Sequence, residues 1–173
     1  PNSASCLGVS AEKMRICEES GRQIVELIEK DIKCLDIINR KSIENAIKVL
    51  MATGGSTNLI IHLTAIAKRA NIDIKLSDFE KISKEIPVLV NVKPHGTGTV
   101  GTSFHDAGGV ASLMKELEGR LNTDCLTVTG KTVGENLTDI DMPYNTDIIR
   151  PLDNPLDDRG GIAVLYGNLA PNG

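Results

Sequence analysis

Met51-Ala52-Thr53-Gly54-Gly55-Ser56-Thr57-Asn58-Leu59-Ile60-Ile61-His62-Leu63 joins two apolar, helix-periodic stretches through a glycine pair and three small polar residues. Glycines let the backbone turn sharply and leave amides uncovered. A helix starting after such a turn aims unpaired N–H groups and a partial positive charge forward, which suits a carboxylate or phosphate. Ser56, Thr57 and Asn58 would add hydrogen-bonding groups. The alternative is a plain helix–helix corner capped by Ser56 or Thr57. His62 follows Asn58 by four residues and shares its helix face. It fits a ligand contact, a group positioning Asn58, or a structural histidine among Ile61, Leu63 and Ile66.

Outward from this corner, Asn39 is a cap for a helix whose Ile43, Ile47, Leu50 and Met51 share one face, and Gly54-Gly55 stops it. The next helix runs from Thr57 to Ala70 with Leu59, Ile60, Leu63, Ile66 and Ala67 inward. Towards the N-terminus, Ser10 caps a helix over 11–30. Met14, Cys17, Ile24, Leu27 and Ile28 make its expected buried stripe, with Gly21 on it. Ser77-Asp78-Phe79-Glu80 reads as a capping box opening a short helix. Pro87 to Val92 reads as a strand, 104–117 as a helix, Cys125 to Val128 as a short strand or helix entry, and 133–137 as a small helix. The alternation implies an α/β fold, with helices flanking a short, mostly parallel sheet as part of a three-layer α/β/α domain. Residues 140–161 carry Pro143, Pro151 and Pro155 among Asp and Asn residues and read as a linker. Ile162 to Leu165 then reads as the first strand of a further domain, truncated at 173. Pro1 in place of Met, and an end directly after an apolar run, are expected of a piece of a longer chain.

Composition narrows the function. The 173 residues are 40% hydrophobic and 24% charged, with net charge −4. The 19 Lys and Arg residues form no stripe, and aromatics are 2%, so nucleic-acid binding is not expected. No stretch is long and apolar enough to span a membrane, and no signal peptide is seen. Cys6, Cys17, Cys34 and Cys125 are spaced by 11, 17 and 91 residues, without a C-x-x-C pair, and read as reduced thiols rather than metal ligands.

Three motif-like stretches fail on context. Gly96-Thr97-Gly98-Thr99-Val100-Gly101 spells G-x-G-x-x-G, but Lys93-Pro94-His95 separates it from the strand, and the later acidic candidates Glu116 and Glu118 fall on a helix. A nucleotide-dependent enzyme would rest on this stretch alone. Gly130-Lys131-Thr132 lacks the earlier glycine of a P-loop, since Cys125 stands there; Lys131 reads as a salt-bridging or packing residue. Asp139, Asp141, Asp147, Asp153, Asp157 and Asp158 do not follow calcium-loop spacing.

Gly54-Gly55-Ser56-Thr57-Asn58 with His62-Leu63 resembles the central motif of the dihydroxy-acid and phosphogluconate dehydratase family. Ser77-Asp78-Phe79, Ala107-Gly108-Gly109, Thr127-Val128-Thr129-Gly130-Lys131-Thr132 and Leu165-Tyr166-Gly167-Asn168-Leu169-Ala170-Pro171 follow in family order. The resemblance implies part of a hydro-lyase that converts a 2,3-dihydroxy carboxylic acid to a 2-keto acid. Dihydroxy-acid dehydratase of branched-chain (isoleucine and valine) biosynthesis is favoured. Phe104-His105-Asp106-Ala107-Gly108-Gly109 keeps a sugar-acid dehydratase as the alternative. It further implies an iron–sulfur cluster (2Fe–2S or 4Fe–4S) and Mg²⁺ whose ligands lie outside this chain, a small carboxylate substrate, a homodimer, and a cytoplasmic or organellar-matrix location. Residues 1–139 correspond to the second half of the family's N-terminal domain, 140–161 to the linker and 162–173 to the start of the C-terminal domain. No catalytic residue or metal ligand is carried over; Gly55, Ser56, Thr57, Asn58 and His62 are expected at the substrate. A chain complete as given would instead be a non-catalytic anion-binding module.

Overall fold

The computed structural model describes residues 2–173. Helices dominate: α1 (Ala11–Glu29), α2 (Cys34–Ile37), α3 (Arg40–Thr53), α4 (Asn58–Arg69), α5 (Leu76–Glu85), α6 (Gly109–Glu116) and α7 (Val133–Leu137), with a π-turn at Val100–Phe104 before α6.

The centre of the fold is α3, which packs against α4, α5 and α6. Its start is fixed reciprocally. Ser42 N–H donates to Asn39 Oδ1 at 3.1 Å and Asn39 N–H to Ser42 Oγ at 2.9 Å. Its apolar residues recur every three or four positions, and Ile47, Leu50 and Met51 are all but fully buried. Phe79 and Ile82 of α5 and Leu113 and Leu117, in and just after α6, complete the same core. On α4, Leu63 and Ala67 are buried and Ile60 partly so, whereas Leu59 and Ile66 stay largely exposed.

α5 begins one residue ahead of the expected cap. Ser77 lies inside the helix, and the Asp78 carboxylate accepts the Lys75 amide at 2.8 Å. Asp78 also holds Arg40 Nη2 at 2.7 Å, tying α5 to the start of α3. Burial pushes the Asp78 carboxyl up, but the Lys75 amide and the Arg40 guanidinium outweigh it, so its pKa lies below the ordinary value. A depressed folded pKa means the contribution is full above the unfolded value of about 3.9 and is lost as pH falls through the folded one. Asp78→Asn is therefore expected to lower stability by about 1 kcal/mol at pH 7, a figure in the range for a lost helix cap. The difference from wild type should vanish at acid pH; an equal deficit in urea titrations at pH 7 and pH 2 would contradict it.

The expected strand at Pro87–Val92 is a buried extended segment, with Leu89 and Val90 almost fully enclosed. The parallel sheet expected around it is not formed among the described residues. The segment makes isolated bridges: antiparallel from Val88 to Asp157 and from Val90 to Ile149, and parallel from Val92 to Gly98. The physical reason is its neighbour. Its amides at Leu89 and Val90 both donate to Ala52 O at the end of α3, and the chain from 145 to 157 returns along its other edge.

That return runs through the segment expected as a linker, which is packed against the core. Ile149 is fully buried, Gly160 N–H donates to Ser83 O at 2.7 Å, and Gly161 N–H donates to Met51 O at 3.1 Å. Buried Ser83 then donates its hydroxyl to Ile162 O at 2.7 Å. Residues 162–165 form no strand and bridge to none among the described residues.

The first helix departs most from expectation. Ser10 caps it as foreseen, accepting the Lys13 amide at 3.1 Å. Of its expected buried stripe, only Leu27 is buried; Met14, Cys17, Ile24 and Ile28 face solvent. Nothing among the described residues lies over that face.

Candidate functional site

The glycine corner ends α3 because Gly54 takes the left-handed conformation, φ +58°, which an L side chain adopts only with strain. Its amide and that of Gly55 return to Met51 O at 3.3 Å and Leu50 O at 3.2 Å. The corner is clamped from two sides. A Cβ on Gly54 would meet His95 Cε1 at 2.6 Å, and one on Gly161 would meet Gly54 Cα at 2.3 Å. His95 is held by Val90 O at 3.0 Å, so its Nε2 carries the donated proton. His95 thus serves here as a lid on Gly54.

The start of α4 offers fewer donors than the sequence implied. Asn58 N–H donates to Ser56 Oγ at 3.2 Å, and the amides of Leu59 and Ile60 donate to Ser56 O and Thr57 O at 3.0 Å each. No protein acceptor among the described residues takes the Ser56 or Thr57 amide. Ser56, Thr57, Asn58 and His62 are all solvent-facing. Two amides, two hydroxyls and a carboxamide are therefore exposed along one open turn, with an imidazole one helical turn further on. This set can hold an anion or a polyol by hydrogen bonds. It contains no acid–base pair of its own.

An almost wholly apolar groove of about 700 Å³ runs beside this turn. Its lining includes Val49, Leu50, Leu59, Phe104, Val110 and Met114. The solvent-facing set, Ser56 to Asn58 and His62, is not part of its lining.

The glycine-rich loop is spent on its own folding. Gly96 N–H donates to Val92 O, Thr97 N–H to Asn91 Oδ1 and Gly98 N–H to Asn91 O, at 2.7, 3.0 and 3.1 Å. A Cβ on Gly96 would lie 2.5 Å from the Asn91 backbone. These glycines permit the fold-back, and the amides of residues 96 to 98 are already bonded. Likewise Thr132 caps α7, accepting the Glu135 amide at 3.2 Å, and the Lys131 carbonyl accepts the Thr127 amide at 2.9 Å, closing the preceding turn.

Sequence reading missed one constellation. His105 Nε2–H donates to Glu12 Oε2 at 2.9 Å, and its Nδ1 lies 3.1 Å from Ser5 Oγ. The histidine ties the N-terminal turn and the first turn of α1 to the entry of α6. Its partners lie about a hundred residues away, so no local pattern could reveal them. Phe104, beside it, is buried against the core.

The residues present do not fit an iron–sulfur or divalent-metal site. Among the described residues no three His, Cys, Asp or Glu side chains converge. Cys125 is buried 3.9 Å from Asn45 Nδ2, and burial pushes its thiol pKa up, opposite to what a thiolate ligand needs. Cys6 is buried with its Sγ directed to Ser3 O, while Cys17 and Cys34 are exposed. No helix among them is long and apolar enough to cross a membrane.

The ordered motifs along the chain carry a match to a dehydratase N-terminal segment. Residues 1–136 match the family described as dihydroxy-acid/6-phosphogluconate dehydratase N-terminal, and the chain belongs to that family. The dihydroxy-acid dehydratase of Trichodesmium erythraeum is 48% identical over 99% of this chain and 31% of its own length. Those of Polynucleobacter asymbioticus and of Lactococcus lactis subsp. cremoris are 45% and 46% identical over 100% of this chain and 31% of their own. The chain thus spans just under a third of the length of these relatives.

Proposed function

We propose that this chain forms part of a dihydroxy-acid dehydratase, a hydro-lyase that converts a branched-chain 2,3-dihydroxy acid to the 2-keto acid. The observation that carries the reading is the 48% identity, over 99% of this chain, to a protein named for that activity. Residues 1–139 would belong to the N-terminal domain, 140–161 to the connection, and 162–173 to the start of the next domain. In the assembled enzyme the bridged segment at Val88–Val92 would join strands from outside the chain, giving the three-layer α/β/α arrangement. An iron–sulfur cluster and Mg²⁺ would supply Lewis-acid chemistry, with ligands outside these residues. The assembled enzyme would be a homodimer in the cytoplasm or an organellar matrix.

This chain's own contribution is to hold the substrate. The exposed Ser56 and Thr57 amides and the Asn58 carboxamide, on one open turn, suit the carboxylate and hydroxyls of a dihydroxy acid. Gly55 lets the backbone approach, and His62 stands at the edge. Asn58→Ala in the full-length enzyme is expected to lower kcat/KM about tenfold, the effect of losing a charge-assisted hydrogen bond of about 1.5 kcal/mol. Unchanged kinetics would remove Asn58 from the site.

The sugar-acid reading rested on the Phe104–Gly109 stretch. Phe104 packs in the core, and His105 bonds Ser5 and Glu12, so neither is directed to the candidate turn. Purification of the native polypeptide, with intact mass and 2-keto acid formation from a branched-chain dihydroxy acid and a hexonate, tests the choice. Turnover of the first is expected. Turnover of only the hexonate would favour the sugar-acid alternative, and a native mass of 18.5 kDa would favour an anion-binding module.

A further inference from the structure

α1 presents different faces to its own chain and to solvent. Ile16, Gln23 and Leu27 lie on its inner side. Met14, Cys17, Gly21, Ile24, Val25 and Ile28 fall within an arc of about 100° on another side, by the 3.6-residue periodicity. Met14 is 70% exposed and Ile28 73%. Gly21 lies midway along this arc, and a side chain built there would meet nothing within 4 Å. A glycine notch flanked by aliphatic side chains suits the close approach of a second helix, with axes about 8–10 Å apart.

We propose that this stripe is the seat of an apolar helix from the remainder of the same polypeptide, in the assembled dehydratase proposed above, on which this inference rests. Three observations select that occupant. Relatives carry more than two-thirds of their length outside the matched region, since the match covers 31%. The stripe from Met14 to Ile28 is roughly 21 Å long at 1.5 Å per residue. Paired with itself across a helix-width contact it would bury about 400–600 Å², well short of the roughly 1,200–2,000 Å² of a stable protein–protein interface. A segment of the same chain needs no such area, because it is already tethered. The charges also exclude an anionic lipid surface: α1 carries Lys13, Arg15 and Arg22 against Glu12, Glu18, Glu19, Glu26 and Glu29. Of these, Glu18 already pairs with Arg22 at 2.6 Å.

Cys17 lies within the stripe and reports on it directly. The full-length polypeptide, native and in urea, is labelled with iodoacetamide and the peptide carrying Cys17 is followed by mass spectrometry. Native Cys17 is expected to react at least a hundredfold more slowly than in urea, independently of dilution. Gly21→Trp, whose Cβ would meet nothing within 4 Å in this chain, is expected to raise its native labelling rate tenfold or more. Native labelling at the unfolded rate overturns the proposal. So does protection that disappears on dilution, which would assign the face to a second copy, and so does protection indifferent to Gly21→Trp. The intact mass read in the same experiment tests the enzyme reading separately. A mass of 18.5 kDa overturns that reading and this occupant with it, whereas a larger mass with an unprotected Cys17 overturns only the docking.

Discussion

Gly54→Val is expected to destabilise the protein by about 2–5 kcal/mol, the sum of about 1–2 for a left-handed backbone and about 1–3 for overpacking. Both parts arise at one atom. The residue sits at φ +58°, and a Cβ there would stand 2.6 Å from the His95 ring. A β-branched side chain is the least tolerant choice in that region of backbone space. Gly161→Ala attacks the same contact from the other side. Its Cβ would lie 2.3 Å from Gly54 Cα, a backbone atom that cannot swing aside. Gly55→Ala is the control. Its Cβ would meet side-chain ends, Leu50 Cδ1 at 2.9 Å, Thr53 Oγ1 at 3.3 Å and Leu59 Cδ1 at 3.7 Å, and no backbone atom. Urea unfolding should therefore rank Gly54→Val far below Gly55→Ala. Stabilities within about 0.5 kcal/mol of each other, the usual reach of a neutral surface change, would mean that the clamp is not formed. If the chain belongs to the dehydratase proposed above, the clamp sets where Ser56 to Asn58 stand, and Gly54→Val should also depress that enzyme's turnover beyond its loss of folded protein.

Phe79→Ala is expected to cost about 3–5 kcal/mol, the range for removing a fully enclosed aromatic ring. Phe79 has no exposed surface and belongs to the core that joins α3, α5 and the buried extended segment. Few aromatic alternatives exist in this chain: it has two phenylalanines, two tyrosines and no tryptophan. Tyr144 and Tyr166 are 75% and 47% exposed, so the aromatic contribution to the core rests on Phe79 and Phe104. The neighbours cannot refill the space readily, because Ile47, Leu50 and Ile86 are themselves closely packed. Phe79→Leu, which retains most of the volume, should recover more than half of the loss. A Phe79→Ala protein whose urea midpoint stays within experimental error of wild type would place the core elsewhere.

Sequence alone determined where the chain coils and turns. The caps at Ser10 and Asn39, the stop at Gly54 and the buried face of α3 were all legible, because each depends on residues within one or two helical turns. The dehydratase resemblance was legible for a related reason: its motifs are short and ordered along the chain. The partners of those elements were not legible. The amphipathic pattern of α1 announces an apolar face but not which molecule covers it, and the structure leaves that face open. The Pro- and Asp-rich composition of 140–161 read as a connection, yet Ile149 and Gly161 close the core and clamp the corner from a hundred residues away. The glycines at 96 and 98 spelled a phosphate loop, and only the folded Asn91 shows their amides already in use. Period and capping are local properties. Pairing, enclosure and the availability of a donor are set by whatever the rest of the chain brings alongside, and only the tertiary structure decides them.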